Sequence, residues 1–280
     1  MNIADVLDGA TRLIAIIGDP IAQVRSPAAY ADVFARCGVD AVMIPAHVLP
    51  DRFDATIAGL MALGNLDGLV VTVPYKARMV PFATRIGPTA ALIGAVNALR
   101  READGSWTGD MFDGAGFVHA MQRKGATLAG RRVALFGAGG AGSAIASALA
   151  AEGVASLAIL DPDRARADSL AARLAGAFPT CDIAALTRVP ASRDMIVNAS
   201  TVGMRPGDGL PGDIGPLDGG TLVGDVITAD APTALVRLAR DRGCRVVDGP
   251  EMVVGQIDAM MTFFRLAPAA SLAPAPAAAH

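Results

Sequence analysis

Short apolar runs alternate along the chain with longer stretches of mixed apolar and polar residues. Each run ends at Gly, Pro or Asp and precedes a stretch of helical length, which is typical of βαβ units around a mainly parallel sheet. The predicted strands are residues 13–17, 41–45, 69–73, 133–136, 157–160, 195–197, 222–226 and 245–247. The predicted helices are residues 27–37, 52–63, 114–124, 140–152, 164–174, 233–242 and 253–266. The pattern therefore predicts an α/β fold.

The length of the chain predicts two domains. At 280 residues it exceeds the usual size of one domain, and its 52% of hydrophobic residues are spread along the whole length. We place the first crossing between domains in residues 110–116 and the return crossing near Gly249. Residues 267–280 alternate Pro with small residues, cannot bury much surface and are predicted to be a flexible tail.

Charge and cysteine usage exclude several classes of partner. The formal net charge is -3, and positive and negative residues are interspersed. No extended positive potential is therefore expected that would attract nucleic acid or anionic lipid. The three cysteines are widely spaced, without a C-x-x-C pair or a His at ligand spacing, and no metal site is predicted. The N-terminus carries Asp5 and Asp8 where a signal peptide would be positive. We expect a cytoplasmic protein with a small-molecule substrate and neither a nucleic-acid nor a membrane partner.

The strongest local signal is a glycine-rich segment after the fourth predicted strand. Gly137, Gly139 and Gly142 form G-x-G-x-x-G ahead of an Ala-rich helix. Gly137 would allow a tight turn, Gly139 a close approach of the backbone to pyrophosphate, and Gly142 close helix–strand packing. The free N–H groups and positive end of the helix would then receive phosphates. This segment predicts a Rossmann domain that binds a dinucleotide.

The residue at the end of the next predicted strand bears on the cofactor. Asp161 lies about twenty residues past the glycines, where a carboxylate accepts hydrogen bonds from the adenosine ribose. A carboxylate there would repel the additional phosphate of NADP, so we predict NAD. Arg164 and Arg166 keep NADP as the less favoured alternative, because a guanidinium can pair with that phosphate.

Polar residues also interrupt or end apolar runs at loops where a parallel sheet presents its ligand site. The segments are GDPIAQVRSP (18–27), VVTVPYK (70–76), GAVN (94–97) and GDMFDGAG (109–116). Together with GAGGAG (137–142), NASTVGM (198–204) and GPEMVVGQ (249–256), they resemble the shikimate/quinate dehydrogenase family in order and spacing over nearly the whole chain.

The resemblance implies an N-terminal α/β substrate domain, residues 1–112 completed by 250–266, and a C-terminal Rossmann domain at 113–249. It implies a catalytic pair at Lys76 and Asp113. Substrate contacts are implied at Ser26, Thr72, Asn97 and Gln256, and Val24 and Thr228 occupy further substrate-binding positions. Cofactor contacts are implied at Gly137, Ala138, Gly139, Gly140, Ala141, Asp161, Val226 and Gly249. Arg166 is added as a candidate cofactor contact because its guanidinium could pair with a phosphate near Asp161.

The residue types suit that chemistry. Oxidation of a secondary alcohol needs a proton acceptor near the hydroxyl while nicotinamide takes the hydride, and a lysine beside an aspartate can shuttle that proton. His47 and His119 lie outside every motif and are interpreted as ordinary structural residues.

Four positions depart from the family pattern. Val24 replaces the first of two serines that hold the substrate carboxylate, Val70 an asparagine, Thr228 a tyrosine and Phe112 a threonine. We interpret the chain as a divergent member that acts on shikimate, quinate, a related cyclic hydroxy acid or a different alcohol. A non-catalytic NAD-binding sensor is the alternative, and a purely structural role explains the polar loops least well. A monomer or a homodimer is expected.

Overall fold

The computed structural model describes residues 7–229 and 231–266, so the predicted tail at 267–280 lies outside the described residues. The strands are β1 (Arg12–Gly18), β2 (Ala41–His47), β3 (Leu66–Val71), β4 (Arg85–Ile86), β5 (Ala98–Arg101), β6 (Trp107–Asp110), β7 (Arg132–Phe136), β8 (Ser156–Leu160), β9 (Asp182–Ala185), β10 (Met195–Asn198), β11 (Leu222–Asp225) and β12 (Arg245–Val247). The helices are α1 (Ser26–Cys37), α2 (Phe53–Met61), α3 (Pro88–Ile93), α4 (Asp113–Arg123), α5 (Gly140–Ala151), α6 (Arg164–Ala177), α7 (Ala234–Asp241) and α8 (Gly249–Phe263). A 3-10 turn spans Val80–Phe82.

The first half of the chain forms a mixed sheet. Within the described residues its six strands lie in the order β2-β1-β3-β5-β6-β4. β1 is parallel to β2 and β3, whereas β5 runs antiparallel to β3 and to β6. The sequence did not predict the β5–β6 hairpin, because its strands are four residues long and include charged residues such as Arg100 and Arg101.

The second half forms a parallel sheet. Within the described ranges its six strands lie in the order β12-β11-β10-β7-β8-β9, and each neighbouring pair is parallel. The strand order reverses between β7 and β10, so a crevice opens at the carboxyl ends of these two strands. The predicted α/β class with two sheets is confirmed. Two helices near the junction pack on each other: α4, which also contacts α5 and β12 of the second half, and α8, which also contacts α1 of the first half. The domain bounds stay a prediction.

Glycines allow α4 to pack tightly against α5 and α8. A Cβ at Gly114 would lie 2.2 Å from the Ala144 carbonyl oxygen, and a Cβ at Gly255 would lie 2.2 Å from the Gly116 carbonyl oxygen. Since no larger residue fits, the helix backbones approach closely. This packing fixes Asp113 at the start of α4 relative to Gln256 on α8.

Both ends of α8 are secured. At its start the Asp248 carboxylate accepts from the Glu251 N–H and the Glu251 carboxylate accepts from the Asp248 N–H, which is a capping box. The helix therefore begins at Gly249, four residues before the predicted start, because Pro250 is tolerated in a first helical turn. At its end the Arg100 guanidinium donates to the Phe263 carbonyl oxygen.

None of the helices in residues 7–229 and 231–266 is both long enough and apolar enough to cross a lipid bilayer.

Candidate active site

Lys76 and Asp113 form an ion pair at the junction of the two halves. Lys76 Nζ donates to Asp113 Oδ2, and the two side chains are 13% and 4% exposed. Asp113 is the first residue of α4, where the helix dipole favours a carboxylate. Its other oxygen, Oδ1, accepts a hydrogen bond of 2.8 Å from Asn97 Nδ2. Both carboxylate oxygens are therefore engaged, which fixes the position of the Lys76 amine.

Asn97 connects three segments of the site. Besides its bond to Asp113, Asn97 Nδ2 donates to Gln256 Oε1 on α8 at 3.0 Å. Asn97 Oδ1 accepts from the Phe112 N–H at 2.9 Å. Asn97 and Gln256 are buried. The structure thus brings four of the predicted site residues into one hydrogen-bonded group, here called the polar cluster: Lys76, Asp113, Asn97 and Gln256.

The other predicted substrate residues lie on three separate loops or helix ends. Thr72 directly follows β3, and its methyl group fills the space beside Gly18. Ser26 is the buried first residue of α1, and Val24 precedes it in a turn. Thr228 is half-buried in the loop after β11. Between the described residues, no side-chain hydrogen bond joins Ser26 or Thr228 to the polar cluster.

The glycine-rich loop has the geometry that the sequence predicted for a phosphate-binding turn. Gly137 has a φ of 98°, which favours glycine, and a Cβ there would lie 2.7 Å from the Ala199 carbonyl oxygen. A Cβ at Gly142 would lie 1.9 Å from the Gly137 carbonyl oxygen. Gly139, in contrast, has open space where a Cβ would be. The loop is closed against the protein on two sides and open at its tip.

The start of α5 fits an anionic group. Gly139 is the N-cap and provides no side chain to satisfy the first N–H groups of the helix. These N–H groups and the helix dipole attract phosphate oxygens. A Cβ at Gly140 would lie 3.1 Å from both Cβ and Cδ of Lys76. The dinucleotide loop and the ion pair are therefore neighbours, and nothing in the local sequence around either segment indicates this contact.

The surroundings of Asp161 differ from those expected for an NAD-binding acid. Its side chain is only 8% exposed and accepts hydrogen bonds from the N–H groups of Ala138 at 2.7 Å and Asp163 at 2.8 Å. Arg166 is 54% exposed and lies 3.1 Å from Asp163 and 3.9 Å from Asp161. Asp161 therefore holds the glycine loop in place through the Ala138 N–H, and the exposed Arg166 guanidinium lies beside Asp161.

A buried polar network beside Val226 escaped the sequence analysis. Asp225 Oδ2 accepts from the Thr233 hydroxyl at 2.6 Å, and Oδ1 accepts from the Ile227 N–H at 3.0 Å. Asn198 Nδ2 lies 3.3 Å from both oxygens. Burial raises the pKa of Asp225. One feature of the sequence does indicate this network: Asn198 and Asp225 are polar residues that end two buried strands, at the carboxyl edge of the sheet.

The same network borders Gly249. A Cβ on Gly249 would lie 2.4 Å from the Ile227 carbonyl oxygen and 2.7 Å from that of Val226, so α8 begins against the loop after β11.

Among the described residues, no group of three His, Cys, Asp or Glu side chains could hold a metal ion.

Comparison with known proteins identifies the family. The model of the shikimate dehydrogenase substrate-binding domain matches residues 16–99, and the shikimate/quinate 5-dehydrogenase model matches residues 119–204. The first extends from within β1 to the start of β5 of the mixed sheet, and the second includes β7 to β10 of the parallel sheet. The chain belongs to the shikimate/quinate dehydrogenase family, as the sequence motifs predicted.

Individual relatives agree with this assignment. The chain is 37% identical over 257 residues to shikimate dehydrogenase (NADP+) of Rubrobacter xylanophilus, which covers 89% of each chain. Shikimate 5-dehydrogenase of Listeria monocytogenes in complex with shikimate and NAD is 27% identical, with a TM-score of 0.81 over 92% of this chain and 93% of that one. Quinate dehydrogenase of Corynebacterium glutamicum in complex with NAD is 31% identical, with a TM-score of 0.78 over 92% and 95%.

The names of the relatives correct the predicted cofactor. Four curated relatives at 35–37% identity are all named shikimate dehydrogenase (NADP+), and they are more similar in sequence than the two structures that contain NAD. The prediction of NAD, with NADP less favoured, is therefore wrong. The physical reason lies at Asp161, whose oxygens bind backbone N–H groups of the protein, so that it acts as a structural brace.

Proposed function

We propose that this protein is an NADP-linked dehydrogenase that reversibly oxidises a secondary hydroxyl group on a hydroxylated ring of the shikimate and quinate class. The observation that carries the proposal is the polar cluster beside the glycine loop: Lys76 is paired with Asp113 and lies against Gly140. Shikimate and quinate are the substrates named for its relatives.

Each member of the polar cluster has a task in the proposed mechanism. Lys76 in its amine form accepts the proton of the substrate hydroxyl, and its ammonium form donates that proton in the reverse reaction. Asp113 holds the Lys76 amine in place through their ion pair. Asn97 and Gln256 are proposed to bind neighbouring hydroxyl groups of the ring. The glycine loop would hold NADP, which would supply the hydride acceptor for this oxidation.

The cofactor is proposed to be held by the glycine loop and the start of α6. The segment from Gly137 to Ala141 presents N–H groups and open space to the pyrophosphate, with Ala138 and Gly140 inside it. Val226, which follows β11, and Gly249, the first residue of α8, which packs against the Val226 carbonyl oxygen, are the further proposed cofactor contacts. Arg166 is the proposed partner of the adenosine phosphate, because its guanidinium is exposed next to Asp161.

Turnover separates this proposal from the alternative of a non-catalytic sensor. We expect the purified protein with NADP and millimolar shikimate or quinate to produce NADPH, followed by its absorbance, and to use NADP better than NAD. Binding of NADP without any hydride transfer to or from a panel of ring alcohols and ketones would support the sensor instead.

A further inference from the structure

Lys76 lies in an irregular segment between β3 and the 3-10 turn. This segment, residues 72–78, is described in full and belongs to no strand or helix. Among its side chains only that of Tyr75 is buried, at 1% exposure, and the others are half-buried or exposed. The segment is therefore attached to the hydrophobic core of the first half through the Tyr75 side chain.

The Tyr75 side chain is held at its ring and at its hydroxyl. Its ring centre lies 4.5 Å from that of Phe53, which is fully buried. Its hydroxyl donates to the Val48 carbonyl oxygen at 2.6 Å, and the Val48 N–H in turn donates to the Gly18 carbonyl oxygen at 3.2 Å. Burial raises the pKa of Tyr75 above its ordinary value of 10.0, so the hydroxyl remains a donor near neutral pH.

This attachment limits where the Lys76 side chain can begin. The Tyr75 N–H donates to the Thr72 carbonyl oxygen, and the Lys76 carbonyl oxygen accepts from the Val96 N–H, both at 3.0 Å. Consecutive Cα atoms are about 3.8 Å apart, so a fixed Tyr75 leaves the Lys76 Cα little freedom. The ammonium then reaches Asp113 from a defined starting point.

We propose that Tyr75 is a positioning residue for Lys76, because its buried ring and its hydroxyl hold the segment 72–78 so that the ammonium stays paired with Asp113. If the side chain at position 75 loses its contacts with Phe53 and Val48, the segment gains freedom and the ion pair forms for a smaller fraction of the time. Only the expected effect on turnover rests on the proposed function.

The composition of the chain makes the Lys76 side chain directly observable. Lys76 and Lys124 are its two lysines, so protein labelled with ¹³C at lysine Cε gives two lysine signals in an NMR spectrum. Lys124→Arg assigns them by removing one. The Lys124 ammonium is bound by Glu251 and the Val246 carbonyl oxygen, so its signal is an internal control for changes elsewhere in the fold.

Two substitutions remove the Tyr75 contacts in steps. Tyr75→Phe removes the hydroxyl and keeps the ring, and Tyr75→Leu removes both. We expect the Lys76 signal to shift in both variants, further in Tyr75→Leu, and the Lys124 signal to stay in place.

The second of the two tyrosines of the chain provides a matched control. Tyr30 is also buried at 1% exposure, and its hydroxyl lies 3.0 Å from Met260 Sδ. Tyr30→Phe and Tyr30→Leu make the same chemical changes in another part of the core. We expect them to leave both lysine signals in place.

Kinetics on the same variants tests the consequence for turnover. We expect kcat to fall about two- to threefold in Tyr75→Phe and about tenfold or more in Tyr75→Leu, while the dissociation constant of NADP changes less than about twofold. A general loss of folded protein would instead weaken both lysine signals together, and the Tyr30 variants would show the same fall in kcat.

The Lys76 signal decides the outcome. An unchanged signal in both Tyr75 variants, or an equal shift in the Tyr30 variants, would overturn the positioning role. If Tyr75→Leu does not fold, Tyr75→Phe decides in the same way. A shift confined to the Tyr75 variants in a protein without turnover would leave the positioning role standing while the proposed function fails. Turnover by the wild type with no shift in the Tyr75 variants would mean the reverse.

Discussion

The side chain of Lys76 lies against Gly140, the first residue of α5, so closely that a Cβ at position 140 would come 3.1 Å from Cβ and Cδ of Lys76. This contact joins the polar cluster of the first half to the glycine loop of the second. The position of the amine therefore depends on a residue with no role in the ion pair itself.

A methyl group at position 140 is expected to displace Lys76. Because 3.1 Å is tighter than ordinary carbon contacts, Gly140→Ala should lower kcat about three- to tenfold by moving the amine by a few tenths of an ångström. Steady-state kinetics checks this. Gly176→Ala is the control, because a Cβ on this glycine of α6 meets nothing within 4 Å. Equal kinetics for both variants would mean that the contact is not functional.

Arg166 is expected to set the preference for NADP. Arg166→Gln should weaken NADP binding about tenfold or more and change NAD binding little, because only NADP carries the phosphate. Arg164→Gln is the matched control, since the Arg164 guanidinium donates to the Ala185 carbonyl oxygen at 2.7 Å and is paired with Asp168. Titration of both nucleotides by fluorescence gives the four dissociation constants for the two variants. A loss of NADP affinity in Arg164→Gln and none in Arg166→Gln would show that Arg164, and not Arg166, binds the phosphate.

The close crossing of α4 and α8 is expected to tolerate no side chain at Gly116. A Cβ there would lie 2.7 Å from Gln256 Cβ and 2.8 Å from the Met252 carbonyl oxygen. Gly116→Ala should lower the free energy of unfolding by about 1–3 kcal/mol, as overpacking does, and displace Gln256. Urea unfolding measures the effect, with Ala115→Ser on the exposed face of α4 as control. A fully stable Gly116→Ala protein would show that the helices can separate at little cost.

Asp194 is expected to give a pH-dependent contribution to stability. Hydrogen bonds from the Arg132 side chain, at 2.9 and 2.7 Å, lower the pKa of Asp194 to about 2 from its ordinary value of 3.8. A lowered pKa in the folded state stabilises the protein above pH 3.8, and this contribution is lost as the pH falls through about 2.

The variant Asp194→Asn isolates this contribution. Since the Arg132 side chain is 45% exposed, solvent screening limits the difference from wild type to about 1 kcal/mol at pH 7. The difference should shrink in urea unfolding between pH 5 and pH 2.5. A difference that is constant over this range would exclude an ionic origin.

The regular part of the fold follows from the sequence because its strands are buried on both faces. β7, β8 and β10 are apolar runs followed by Gly, Asp or Asn, and their parallel arrangement was predicted. α3 and the β5–β6 hairpin could not be predicted, because distant residues stabilise them. The N-terminus of α3 is bound by the Asp110 carboxylate, which accepts from the Ala90 N–H.

The site was predictable to a similar degree. The motifs named Lys76, Asp113, Asn97 and Gln256 from the family resemblance, and the structure shows them hydrogen-bonded together; their roles stay a prediction. The cofactor preference was not predictable from Asp161. The orientation of its carboxylate depends on which backbone N–H groups the fold places next to it, and the sequence alone does not show these. Here the Ala138 N–H lies within 2.7 Å.

Substitution of Lys76 tests whether its amine transfers the proton of the substrate hydroxyl. Lys76→Met keeps most of the length of the side chain and removes the amine, so we expect it to delete proton transfer while NADP binding, which uses the glycine loop, is retained. The measurement is kcat in both directions, together with the dissociation constant of NADP. We expect kcat to fall by about two orders of magnitude or more and NADP binding to change less than about threefold. Wild-type kcat in Lys76→Met would contradict it.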